Sequence, residues 1–137
     1  MTEAIINGIS MRLYGCILIS KEIPPAEPRP QYIEVPGKNG KLDVTDFIGL
    51  TFENRVISME FRQKKNSRYQ LYRTEIEKLN GKQVTLTFTD NGELYWKGRL
   101  KVTEYSKVVD RLYGISFELD ADPFPYHHIT DEEVQDV

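Results

Sequence analysis

The sequence predicts an α+β domain dominated by antiparallel β-sheet. Three observations lead there. Apolar and polar residues alternate with a period of two through Arg55 to Gln63, Gln83 to Thr89 and Leu112 to Leu119, the pattern of half-buried strands. Asn-Gly pairs at Asn7-Gly8, Asn39-Gly40 and Asn91-Gly92 mark reversals between extended segments. One stretch carries a convincing helical stripe, in which Tyr69, Tyr72, Ile76 and Leu79 fall on a single face.

In chain order, Ala4 to Ile9 places Ile5, Ile6 and Ile9 around Asn7-Gly8, a short strand or hairpin tip. Cys16 to Ile23 begins apolar on both alternating faces, as a strand covered on both sides would. Pro24 to Pro30 holds four of the seven prolines, Pro24, Pro25, Pro28 and Pro30. Proline lacks the N–H that a ladder needs, so this is a stiff surface loop, either a connector or an arm lying on a neighbouring subunit. Val35 to Thr45 is a tight reversal: Pro36 fixes its own φ, and Gly37 and Gly40 admit positive φ. Gln31 to Val35 runs into this turn and Lys41 to Thr45 runs out.

Ile57, Met59 and Phe61 form the inward face of the next strand. Ser67 starts the helix, with Gln70 completing a capping box and Gly81 ending it. At about three turns it is too short to stand alone, so its stripe packs on the sheet. Val84, Leu86 and Phe88 then point inward, and the chain reverses at Asn91-Gly92. The return strand sends Leu94, Trp96, Gly98, Leu100 and Val102 inward and Tyr95, Lys97, Arg99, Lys101 and Thr103 outward, making a long hairpin over Gln83 to Val102. The last strand directs Tyr113, Ile115, Phe117 and Leu119 to the core. Two prolines in Asp122-Pro123-Phe124-Pro125-Tyr126 close a single domain spanning 1–126, and the acidic segment 127–137 is expected to fray.

A chain of 137 residues with 39% apolar and 28% charged residues is sized for one folded core. No segment has the apolar length of a membrane helix and no secretory signal is apparent, so folding in a cytoplasm is expected. A net charge of -3 argues against a general nucleic-acid binder. Cys16 is the sole cysteine and lies in an apolar run, where a buried hydrophobe is the reading and a reactive nucleophile is not. His127 and His128 are adjacent on an extended chain, so they point apart and make a poor metal pair even with Asp131, Glu132 and Glu133 nearby. Asp43 and Asp46 have no cleft that would make them acid and base. No nucleophilic triad, phosphate loop or HExxH pattern is present, and no enzyme activity, metal or cofactor is expected. The outward row Tyr95, Lys97, Arg99 and Lys101 is better suited to a subunit contact or a solvated face than to nucleic-acid stacking, and joins Pro24 and Pro28 as the candidate interface set.

Five stretches, taken in order, resemble one family: Pro36-Gly37-Lys38-Asn39-Gly40-Lys41-Leu42-Asp43-Val44-Thr45, Asn54-Arg55-Val56-Ile57, Leu79-Asn80-Gly81-Lys82, Tyr95-Trp96-Lys97-Gly98-Arg99-Leu100 and Asp122-Pro123-Phe124-Pro125-Tyr126. Over most of residues 5–126 the chain is similar to the amino-terminal domain of the distal tail protein (Dit) of siphophages, the long-tailed, non-contractile phages. Within it, Pro36, Gly37, Gly40 and Asp43 match the family's turn motif, a structural feature. The resemblance implies a β-sandwich-like core with one packed helix and a long projecting hairpin. It implies a ring-forming domain and a virion structural protein, a hexameric hub at the tail tip or baseplate of a phage or prophage. The tail tube protein would lie on one side and a tail-tip hub protein on the other. DNA would pass through the ring without specific binding, no membrane would be involved, and assembly would take place in the bacterial host cytoplasm. A reading from another class is a carbohydrate-binding β-sandwich, for which Tyr95 and Tyr105 are the candidate exposed aromatics.

Overall fold

The computed structural model describes residues 2–109 and 111–135. Strands β1 (Ala4–Ile6) and β2 (Ile9–Ser10) pair across Asn7 and Gly8, both at positive φ, so the first Asn-Gly pair reverses the chain as expected. Ser10 accepts from the Arg12 amide to open a single 3-10 turn, Met11–Tyr14, which leads into β3 (Cys16–Glu22). The chain then leaves the main sheet over residues 24–54. This arm holds β4 (Pro28–Arg29), β5 (Tyr32–Glu34), β6 (Lys41–Asp43), the short helix α1 (Thr45–Ile48) and β7 (Thr51–Phe52). Strand β4 pairs with β7 and β5 with β6, each as a separate two-stranded ribbon. The remainder comprises β8 (Arg55–Lys64), α2 (Tyr69–Glu77), β9 (Gln83–Phe88), β10 (Leu94–Val109), β11 (Leu112–Ala121) and β12 (Tyr126–His127).

All pairings are antiparallel, and the main sheet runs β2-β1-β9-β10-β11-β8-β3, with β12 added at the start of β10. Chain continuity forces this sheet to curl. Laid flat at ~4.8 Å spacing its outer strands would lie roughly 29 Å apart. Met11 to Gly15 join β2 to β3, and from Ser10 to Cys16 the chain could span at most about 22 Å even if extended. The two ends of the sheet therefore face each other across the core, sandwich fashion. Lys21 of β3 accordingly reaches Asp90, just beyond β9, and lies 4.2 Å from the Phe88 ring. Ile57, Phe61, Leu86, Leu100, Ile115 and Leu119 are wholly buried between the layers. Helix α2 closes one side with Tyr69 and Ile76 buried and Tyr72 half-buried against Tyr14.

Several local expectations are corrected. Strand β3 is not covered on both sides: it ends the sheet order, so Cys16 is buried while Ile17 and Ile19 are exposed. Pro28 does sit in a ladder, because a two-stranded ribbon is all edge and spares it a donor. Ser67 does not cap α2. The Asn66 side chain accepts from the Arg68 amide, and the helix starts at Tyr69 without a side-chain cap. Gly81 lies beyond the helix end, where its amide donates to Leu100 O at 2.7 Å and sets the entry to β9. Gly92 has φ -69, so the reversal before β10 runs through a 3-10 turn, Thr89–Asn91, and not a primed Asn-Gly turn.

The long hairpin is made by β10 and β11, since β9 pairs with β10 only from Trp96 to Arg99. Its second strand is paired with β8 along its length, so it lies within the sheet, and the hairpin that projects is β5–β6 in the arm. Tyr126 pairs with Tyr95 and His127 with Leu94, and His127 and Val134 donate backbone bonds to Glu132 and Pro125. The described part of the acidic segment thus folds back on β10.

Candidate functional site

The segment Val35 to Thr45 is assembled by backbone chemistry. The Lys38 amide donates to Val35 O at 3.1 Å, with Pro36 and Gly37 as the central residues and Gly37 at φ 78, a type II turn. Gly40 follows at φ 76. Asp43 accepts from the Thr45 amide at 2.9 Å and from its hydroxyl at 2.5 Å. These two bonds hold its carboxyl below the ordinary carboxylate range. Thr45 in turn accepts from the Gln31 amide at 2.8 Å, so the motif fastens the base of β5–β6 to the start of α1. Asp43 is therefore a structural brace.

The other candidates are dispersed. Lys97, Arg99 and Lys101 are exposed on the outer side of β10, and Arg99 donates to Gly81 O at 2.7 Å, securing the turn before β9. Tyr95 is bound inside the molecule: its hydroxyl donates to Asp131 at 2.8 Å and its ring stacks on Tyr126 at 5.5 Å. The bond to Asp131 raises its pKa. Pro24 is half-buried at the root of the arm and Pro28 is exposed in β4. Tyr105 does not join Tyr95 in an aromatic platform. A bulge between Val102 and Glu104 turns Tyr105 toward α2, where Arg73 lies 3.6 Å from its ring centroid and its hydroxyl donates to Glu77. Burial, with Glu77 second, pushes its pKa up to about 12.

Cys16 is buried, and desolvation pushes its thiol up to about 12, the opposite of what a nucleophile needs. His128 Nε2 lies 3.0 Å from Thr87 Oγ1. Among the described residues no group of three or more His, Cys, Asp or Glu could hold a metal ion, and no helix is long and apolar enough to cross a membrane.

What sequence reasoning missed is the arm's surface. Of residues 24–54 only Thr45 is buried, whereas Tyr32, Ile33, Leu42, Ile48 and Leu50 are exposed and Phe47 is 94% exposed. The signal was present in Phe47-Ile48-Gly49-Leu50, an apolar run that no strand or helix of the main sheet claims. At its root the arm is anchored by Phe52, whose ring meets Phe124 edge-on at 5.0 Å, and its base is closed by Arg29, which donates to Phe52 O at 2.9 Å. Beyond that root the arm has no core of its own. Exposed apolar patches of this kind mark interaction surfaces.

No protein-family model matches the sequence, and no curated protein matches it significantly. Among solved structures the fold is similar to one found in a phage adsorption apparatus. It is similar to the Dit (gp 19.1) protein of phage SPP1, a paradigm of the hub adsorption apparatus in phages that infect Gram-positive bacteria. The TM-score is 0.63 over 93% of this chain, at 15% identity. The chain spans about half of that protein, 52% of its length. At this identity the likeness is one of fold.

Proposed function

We propose that this chain is a ring-forming structural subunit of a siphophage or prophage tail tip, a hub that joins the tail tube to the tip or baseplate complex. The observation that carries the reading is the arm. An isolated two-stranded ribbon is marginal in water, and β5–β6 with α1 carries its large apolar side chains outward, with Phe47 94% exposed. A second copy of the chain supplies the missing cover. A head-to-tail contact of this sort closes into a ring when its rotation divides the circle. Six is the number of subunits that the sequence resemblance implies, and the shared fold with the SPP1 hub protein supports the virion tail as the place.

Under this reading the tail tube protein and the tail-tip hub protein meet the two faces of the ring, and DNA passes through without specific binding. Lys97, Arg99 and Lys101 face protein or solvent and not the bore, because a basic wall would hold DNA by counterion release. Light scattering on the purified chain is expected to give the mass of a hexamer, with sixfold particles in negative stain. Phe47→Ser is expected to leave folding within about 0.5 kcal/mol of wild type, as for an exposed site, while abolishing the particle. A wild-type chain that stays monomeric at high concentration, with no ring in any image, would overturn the proposal.

A further inference from the structure

At the end of β8 away from the arm, the molecule gathers cations that no carboxylate among the described residues pairs with. Lys64 and Lys65 end and follow β8, Arg68 precedes α2, Lys107 lies near the end of β10, and Arg111 follows that strand. Elsewhere Arg12, Lys21, Arg29, Arg62 and Lys78 each have a carboxylate partner, while Lys38, Lys41, Lys82, Lys97 and Lys101 have none in ion-pair reach among the described residues. Among the described residues no carboxylate lies in ion-pair reach of the five cations at this pole; Asp110 is outside the described residues.

The fold fixes this gathering. The Lys65 amide donates to Arg111 O at 2.8 Å, tying the end of β8 to the tip of the β10–β11 hairpin. Lys65 Nζ lies 5.8 Å and 6.0 Å from the Tyr69 and Tyr113 rings, which hold the ammonium by cation–π attraction without cancelling its charge. Lys65, Asn66, Ser67, Lys107, Arg111 and Tyr113 line a concavity of about 540 Å³. The uncapped amino end of α2, with no acid in its first turn, adds to the same positive field.

We propose that this pole is a docking site for an acidic segment of a partner protein, its carboxylates entering the concavity. Two observations favour protein over nucleic acid. Tyr69 is buried and packs on Tyr113 at 5.1 Å, so of the two rings only half-buried Tyr113 reaches the concavity, short of the run of exposed rings on which successive bases stack. Val108 and Val109 are exposed beside Lys107, giving the apolar flank usual in protein interfaces. The site is on the opposite end of β8 from the arm and does not depend on ring assembly.

Fluorescence polarisation with a fluorescein-labelled decaglutamate at low salt tests this on the intact chain, beside a labelled deca-thymidylate. The pole variant is Lys107→Glu with Arg111→Gly; glycine suits the φ of 59 at that position. The control is Lys97→Glu with Lys101→Glu, exposed cations elsewhere on β10. Thermal melts check folding, and the single change Lys65→Gln serves if the pole pair unfolds. Decaglutamate is expected to bind wild type, to lose about tenfold or more in affinity in the pole variant, and to keep its affinity in the control, with thymidylate weaker throughout. No binding of decaglutamate, equal losses in both variants, or tighter binding of thymidylate would overturn the proposal, the last assigning the pole to nucleic acid.

Discussion

A Cβ built on Gly98 would stand 2.2 Å from Asp120 O and 2.6 Å from Ala121 Cα, both backbone atoms of the strand paired with it. Neither can swing aside as a side-chain end would. Gly98→Ala is therefore expected to cost about 1–3 kcal/mol or more of unfolding free energy, the range for forced overpacking, read from urea denaturation; unchanged stability would mean that β10 and β11 lie further apart. Asp43 makes the opposite kind of contribution, through charge. Its pKa is lowered by the two Thr45 bonds, so what it adds to the arm is present above its ordinary value of 3.8 and is lost as pH falls through the depressed one. An NMR titration should place its midpoint below 3.8, with faster exchange of the Thr45 amide in acid and in Asp43→Asn. Residue-scale structure was legible where one residue decides it: Pro36 and Gly37 made the predicted turn because their φ preferences are local. The reason for Gly98 was not legible, because it is a distance to a strand more than twenty residues away.

At the scale of elements, β8, β9 and β11 were read correctly because burial on one face writes a period of two directly into the sequence. Strand β10 was read only to Thr103. Its bulge there breaks the period, and the contact that accounts for it, Tyr105 beneath Arg73 of α2, is tertiary. Exposure of β3 was missed for a related reason: an apolar run looks the same whether a layer covers it or a partner will. The α2–β10 junction and the β12 segment carry a shared pH signature. Tyr105, by burial and Glu77, and Tyr126, by its bond to Asp122, are both pushed up to about 12. A raised phenol pKa favours the protonated folded form, so this stabilisation is complete below the ordinary value of 10.0 and is lost as pH rises through about 12. Phenolate absorbance should show Tyr105 and Tyr126, with Tyr95, titrating late in the folded protein, one fewer in Tyr105→Phe, with stability falling between those pH values.

At the scale of the whole molecule, the main sheet and the arm obey different rules. The sheet satisfies itself, with its core shared between strands that the sequence largely announced. The arm was read as a proline-stiffened loop and a turn, and its apolar outer surface was not foreseen because a side chain that no layer of its own fold covers carries no periodicity in the sequence. Topology makes the two separable. Glu22 pairs with Ser58 across antiparallel β3 and β8, so residues 24–54 are an excursion from the loop of a hairpin that closes without them. Replacing that excursion with a short glycine-containing turn is expected to leave the cooperative melt of the sheet in place, weakened by the loss of the Phe52 contact to Phe124 by about 0.5–1.5 kcal/mol beyond buried area. The same variant should run as a monomer in light scattering at every concentration. A shortened chain that still assembled into a ring would move the subunit contact to the exposed edge of β3, whereas one that no longer folded would make the arm part of the core, contrary to the exposure of nearly all its residues.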